Sequence, residues 1–177
     1  AYNIGGITVN SANATARLMQ HSTVLNNVTI SSGILNANNF NLSLGGNWSN
    51  NATFTAGTGT LTFNGSAAQT LLGSATNVFT NLTISNTSGV SITSGTYTLS
   101  DVLTLSNGTF ASGGNSFTLL STASKTARIA SVAGTGACSG NFIVQKYIPS
   151  RGALSWANLS SPVVSTTVQD WDNELYF

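Results

Sequence analysis

The chain has 177 residues, 5% of them charged, with a formal net charge of +1. A soluble domain averages about 25% charged residues, so polarity here is carried by neutral groups instead: 71 residues are Asn, Ser or Thr. The basic residues Arg17, Lys125, Arg128, Lys146 and Arg151 are scattered and form no tract that could follow a phosphate backbone, which argues against nucleic acid as a partner.

The sole cysteine, Cys138, excludes an internal disulfide and reads as a small apolar residue near a loop. No apolar run approaches the roughly 20 residues that a membrane-spanning helix needs, so no membrane span is expected. Residues 1–6 lack the basic start and apolar stretch of a signal peptide, as expected of a mature chain or a piece of a longer one.

In chain order, the first alternating segment is residues 7–9. Residues 14–20 are too short for a stable helix and read as a corner or one strand. Short strands then follow at residues 28–30, 40–44, 53–55, 61–63, 70–72, 82–84, 90–92, 97–99, 102–105, 117–120 and 127–130. Between them stand corner pairs such as Ser32-Gly33, Gly45-Gly46, Asn64-Gly65 and Asn107-Gly108, which tolerate positive φ. The segment opening Val28-Thr29-Ile30 is echoed by the one opening Leu103-Thr104-Leu105, an internal repeat.

This rhythm predicts an all-β fold, a parallel β-helix or β-solenoid of about five to six coils over residues 1–130. Each coil takes about 20 residues, and Asn side chains stack at the corners, amide upon amide. A β-sandwich also accommodates short strands at this spacing, and it stays open as the alternative. After residue 125 the text changes. Pro149 and Pro162 are the first prolines, Trp156 and Trp171 cluster late, and three of the four acids are Asp170, Asp172 and Glu174. Residues 131–177 therefore read as the start of a second β module or a docking tail, and the apolar end Leu175-Tyr176-Phe177 as chain that continues or packs on a partner.

Several phrases carry a resemblance. Gly46-Asn47-Trp48-Ser49-Asn50-Asn51-Ala52-Thr53-Phe54, then Gly57-Thr58-Gly59-Thr60-Leu61-Thr62-Phe63-Asn64-Gly65, then Phe79-Thr80-Asn81-Leu82-Thr83-Ile84-Ser85-Asn86 look like the β-solenoid repeats of large secreted surface proteins of Bacteroidota-type bacteria. Asn141-Phe142-Ile143-Val144-Gln145-Lys146-Tyr147-Ile148-Pro149 resembles the segment that often follows such repeats, although Lys146 stands where that family commonly has Arg. The resemblance implies adhesins, surface fibres or spacers, exported by the type IX secretion route. The sorting domain of that route is not visible in this sequence.

Chemistry is sparse. His21 is the only histidine and has no acid near it in sequence, so neither a Ser-His-Asp constellation nor a zinc site is written here. Asp170, Asp172 and Glu174 alternate, which in a strand puts them on one face, where they could bind a hard cation such as Ca2+; a solvated acidic edge near a domain end is the stronger reading. Trp48, Trp156 and Trp171 are glycan-contact candidates by ring stacking, and core packing of Trp48 stays open beside that. Thr-rich strands at residues 53–55, 58–62 and 96–98 resemble flat ice-binding faces, but their irregular spacing argues against a regular threonine array.

The expected function is that of a structural or adhesive segment of an extracellular bacterial surface protein or fibre, not an enzyme. It would act by stacking and multivalent contact with sibling copies, neighbouring surface proteins or glycans. The alternative is a spacer or carbohydrate-binding module of an exported polysaccharide-active enzyme.

Overall fold

The structure, a computed structural model, describes residues 1–130, 132 and 134–148. Its fifteen strands form one sheet wound into a stack of coils, and every strand pair in the ladder is parallel. Parallel pairing throughout rules out the sandwich, whose neighbours are joined as antiparallel hairpins. The protein is a β-solenoid of about six turns.

Each coil has three faces. Face A stacks Tyr2–Ile4, Ser22–Val24, Leu42–Leu44, Thr60–Phe63, the second half of Thr76–Ser85, the second half of Thr96–Asn107, and Arg128–Ile129. Face B begins with the first half of Ile7–Arg17 and passes through Val28–Asn36, Trp48–Asn50, Gln69–Leu72, Val90–Ile92, Thr109–Leu119 and Ala137–Val144. Face C takes the second halves of Ile7–Arg17, Val28–Asn36, Thr109–Leu119 and Ala137–Val144, the first halves of Thr76–Ser85 and Thr96–Asn107, and Thr53–Thr55.

A three-residue rung points in, out and in again, because successive strand side chains alternate. Stacking such rungs turns a weak local signal into continuous apolar columns. On face A one column runs Ile4, Val24, Leu44, Phe63, Ile84, Leu105, and a parallel one runs Leu42, Leu61, Leu82, Leu103, Ile129. From Val24 to Leu105 and from Leu42 to Leu103 these side chains are at most 3% exposed. Each buries an apolar side chain worth about 1.5–3 kcal/mol relative to exposure.

The register also shows that the repeat between residues 28 and 103 joins different faces. Val28 lies on face B, aligned with Trp48, whereas Leu103 lies on face A, aligned with Leu82. All three faces share the in-out-in pattern, so similar text does not mark equivalent positions.

Corner asparagines do link the coils, amide to amide where Asn86 Nδ2 donates to Gln69 Oε1 at 2.9 Å and elsewhere amide to backbone. The Asn47 backbone N–H donates to Asn27 Oδ1 at 2.8 Å, and the Thr70 N–H donates to Asn47 Oδ1 at 2.9 Å. A second ladder has His21 in the same role: the Asn41 N–H donates to His21 Nδ1 at 2.9 Å and the Thr60 N–H to Asn41 Oδ1 at 3.0 Å. Each side chain satisfies a backbone donor of the coil above that its own corner would otherwise strand.

One junction is held differently. Among the described residues, no strand pair on face C joins Thr53–Thr55 to Thr76–Ser85. Aromatic rings fill the gap: Trp48 meets Phe54 edge-on with centroids 4.7 Å apart and Phe79 at 5.8 Å. Beside them Asn77 Oδ1 accepts from both Trp48 Nε1, at 3.0 Å, and Asn50 Nδ2, at 2.8 Å.

The stack does not stop at residue 130. Thr109–Leu119 pairs in parallel with Ala137–Val144 on faces B and C, and Leu103 aligns with Ile129 on face A. Residues 128–144 are thus a seventh passage of the same ladder. Of the Gly-rich 134–140 run, residues 134–136 turn a corner and residues 137–140 already belong to the strand Ala137–Val144.

Candidate functional surface

The residues singled out in the sequence do not converge. Trp48 is fully buried, ringed by Phe54 and Phe79, with its indole N–H committed to Asn77. An indole with no open face cannot stack on a sugar, so the glycan-contact role is withdrawn for Trp48 and the core reading holds. Trp156 and Trp171 lie outside the described residues, as do Asp170, Asp172 and Glu174 with the Ca2+ they were expected to take. Among the described residues, no three His, Cys, Asp or Glu side chains gather as metal ligands.

His21 stands edge-on to Phe40, with ring centroids 5.5 Å apart, and accepts the Asn41 N–H, which makes it a corner residue. Cys138 sits on the rim coil in register with Phe110; the residue as a whole is exposed, while burial of the sulfur pushes its thiol up to about 11. Asp101 is the only side-chain carboxylate among the described residues, and it is spent on Lys125 at 2.6 Å and Arg128 at 3.3 Å. These two pairs fasten the loop that carries Ser121, Lys125 and the antiparallel bridge Ser121–Thr126 to the coil beneath it.

The cavity bounded by Phe40, Phe54, Leu61 and Phe79 holds about 10 Å3, room for one water at most.

What the fold does assemble is an outer surface. Face A carries one outward side chain between the two inward columns of each rung, and the register aligns these as Asn3, Thr23, Ser43, Thr62, Thr83 and Thr104. From Thr23 onward the column consists of hydroxyls alone, each partly exposed. Neighbouring strands lie about 4.8 Å apart, so the hydroxyls repeat at that spacing along the stack. Of the Thr-rich strands noted in the sequence, only Thr62 belongs to this column. The regular array that their spacing argued against is present after all, assembled from other residues. The signal that would have found it is the apolar–hydroxyl–apolar triplet in Leu42-Ser43-Leu44, Leu61-Thr62-Phe63, Leu82-Thr83-Ile84 and Leu103-Thr104-Leu105.

On face B the equivalent column is broken: Thr8, Thr29 and Ser49 are followed by Leu72. Compared with known protein families, with curated proteins and with solved structures, the chain matches none.

Proposed function

We propose that the chain is a structural, adhesive segment of an extracellular bacterial surface protein or fibre, acting by extension along its axis and by repeated weak contacts from its faces, without catalysis of its own. The observation that carries this reading is the open rim of the seventh coil. The inward face-A column ends on Ile129, 42% exposed, although its predecessor Leu103 is fully buried. Val144, 42% exposed, likewise follows Leu119 at 2%. A column that stops on exposed apolar side chains is one that a further β segment completes, of this chain or of a sibling copy.

The low charge supports the same reading, since near-neutral surfaces oppose self-association weakly. The extracellular bacterial setting rests on the phrases quoted above, such as Gly46-Asn47-Trp48 and Phe79-Thr80-Asn81, and on the hydroxyl and amide composition. Negative-stain imaging of the full chain over a concentration series tests the proposal. Rods lengthening by end-to-end contact are expected, and isolated particles of one size at every concentration would sink it.

A further inference from the structure

We propose that face A binds crystalline water, through the hydroxyl column Thr23, Ser43, Thr62, Thr83 and Thr104. Four features of the column point to this ligand. First, its repeat is fixed by the backbone. The chain advances 20, 19, 21 and 21 residues between successive members, yet the parallel register keeps them in one line at about 4.8 Å per rung. That spacing is close to the shortest repeat within the basal plane of ice.

Second, these hydroxyls are unspent. None of the five makes a side-chain hydrogen bond to another described residue, whereas Thr80, Ser88, Thr93, Thr98 and Ser100 each donate to a carbonyl of the preceding coil. Third, the column is preorganised. Four of its five members are β-branched threonines, stiff at χ1, each flanked by two buried neighbours that hold the rung in place.

Fourth, the surface around its middle rungs is neutral. The outward neighbours on one side run His21, Asn41, Thr60, Asn81, Val102 and Arg128, and the four between the two ends carry no charge. The charged groups on face A stand at its last rungs, where Arg128 and Lys125 pair with Asp101, while Arg17 lies on face C and Lys146 follows the last strand. An ion orients liquid water radially and disrupts a lattice, while a neutral row of hydroxyls and methyls can be matched by one. Asn41, Thr60, Asn81 and Val102 are not aromatic, so the middle of the surface lacks the stacking platform that a glycan would use; the one ring in the row, His21, stands at its first rung.

The test is inhibition of ice recrystallisation by the full chain in a frozen sucrose film, against an unrelated soluble protein at equal concentration. The chain is expected to keep crystals small. Thr62→Lys, which places bulk and charge mid-column, is expected to lose the effect, and Thr29→Lys on face B to keep it. Thermal melts establish that both variants are folded, and Thr83→Lys replaces Thr62→Lys if that variant is not. Crystals that coarsen as in the control overturn the proposal, as does equal behaviour of the face-A and face-B variants. Retention on an insoluble polysaccharide without any effect on ice overturns it too.

Discussion

Trp48 and Asn77, 29 residues apart in sequence, meet in the core through a hydrogen bond of 3.0 Å from the indole N–H to the amide oxygen. The same oxygen takes the Asn50 amide at 2.8 Å, and the Asn77 amide in turn donates to the Ala75 carbonyl at 2.9 Å. Asn77 is fully buried, so this network closes the face-C junction where the ladder is interrupted.

Replacing Asn77 by Leu should therefore cost more than a cavity calculation implies. It leaves the Trp48 and Asn50 donors buried without acceptors, at about 1–3 kcal/mol each. Urea unfolding should register a loss of at least about 2 kcal/mol. Trp48→Phe, combined with Asn77→Leu, should recover part of that loss, because one stranded donor disappears.

Gly108 and Gly114 should behave in opposite ways. Gly108 has φ of +76° and lies against the coil below, so that an added Cβ would fall 1.8 Å from the Asn86 carbonyl oxygen. Gly108→Ala forces two coils apart, with a cost beyond the usual 0.5–3 kcal/mol range, roughly 4 kcal/mol or more. Gly114 has nothing within 4 Å of that position, and Gly114→Ala should be neutral or stabilise by up to about 1 kcal/mol, as thermal melts would show.

Tyr97 carries a buried hydroxyl with no partner among the described residues, stacked on Phe79 with centroids 5.9 Å apart. Tyr97→Phe removes that stranded group and should raise stability by about 1 kcal/mol. Burial holds the phenol well above its ordinary value of 10.0. The folded state therefore keeps its proton where the unfolded state releases it, so stability falls as pH rises past that ordinary value. Urea midpoints measured from neutral to alkaline pH should fall less steeply in Tyr97→Phe than in the parent.

Asp101→Ala should hardly change global stability, because exposed ion pairs contribute no more than about 1 kcal/mol. Its effect is local. Freed from Asp101, the loop around Lys125 and Arg128 should be cut by trypsin faster at both residues. High salt should produce the same acceleration in the parent chain by screening the pairs. Unchanged cleavage would show that the loop is held by Ser121–Thr126 and not by charge.

Much of the fold was legible because alternation and corner chemistry are local. The strands at residues 61–63, 82–84 and 90–92 were read where they lie, and the glycine-bearing pairs mark real corners at Gly33 and Gly108, both with positive φ. The strand Trp48–Asn50 was not foreseen, since its three residues follow the Gly45-Gly46-Asn47 corner directly and only Trp48 among them is apolar. The outer surface was illegible for another reason. Thr53, Thr96 and Thr98 draw the eye as Thr-rich text, but which threonines share a line depends on the coil step, which varies from 19 to 21 residues among coils two to six.

By itself, then, the sequence determined a stacked all-β chain with a neutral hydroxyl and amide exterior. Each coil's in-out-in pattern and each glycine corner is encoded within a few residues, and only 5% of the composition is charged. Only the tertiary structure decided the register. It placed Trp48 in the core and not on the surface, carried the ladder past residue 130, and brought Thr23, Ser43, Thr62, Thr83 and Thr104 into one row. The physical reason is that parallel hydrogen bonding aligns rungs in space while corners absorb the extra residue, so regularity in three dimensions needs no regular spacing along the chain.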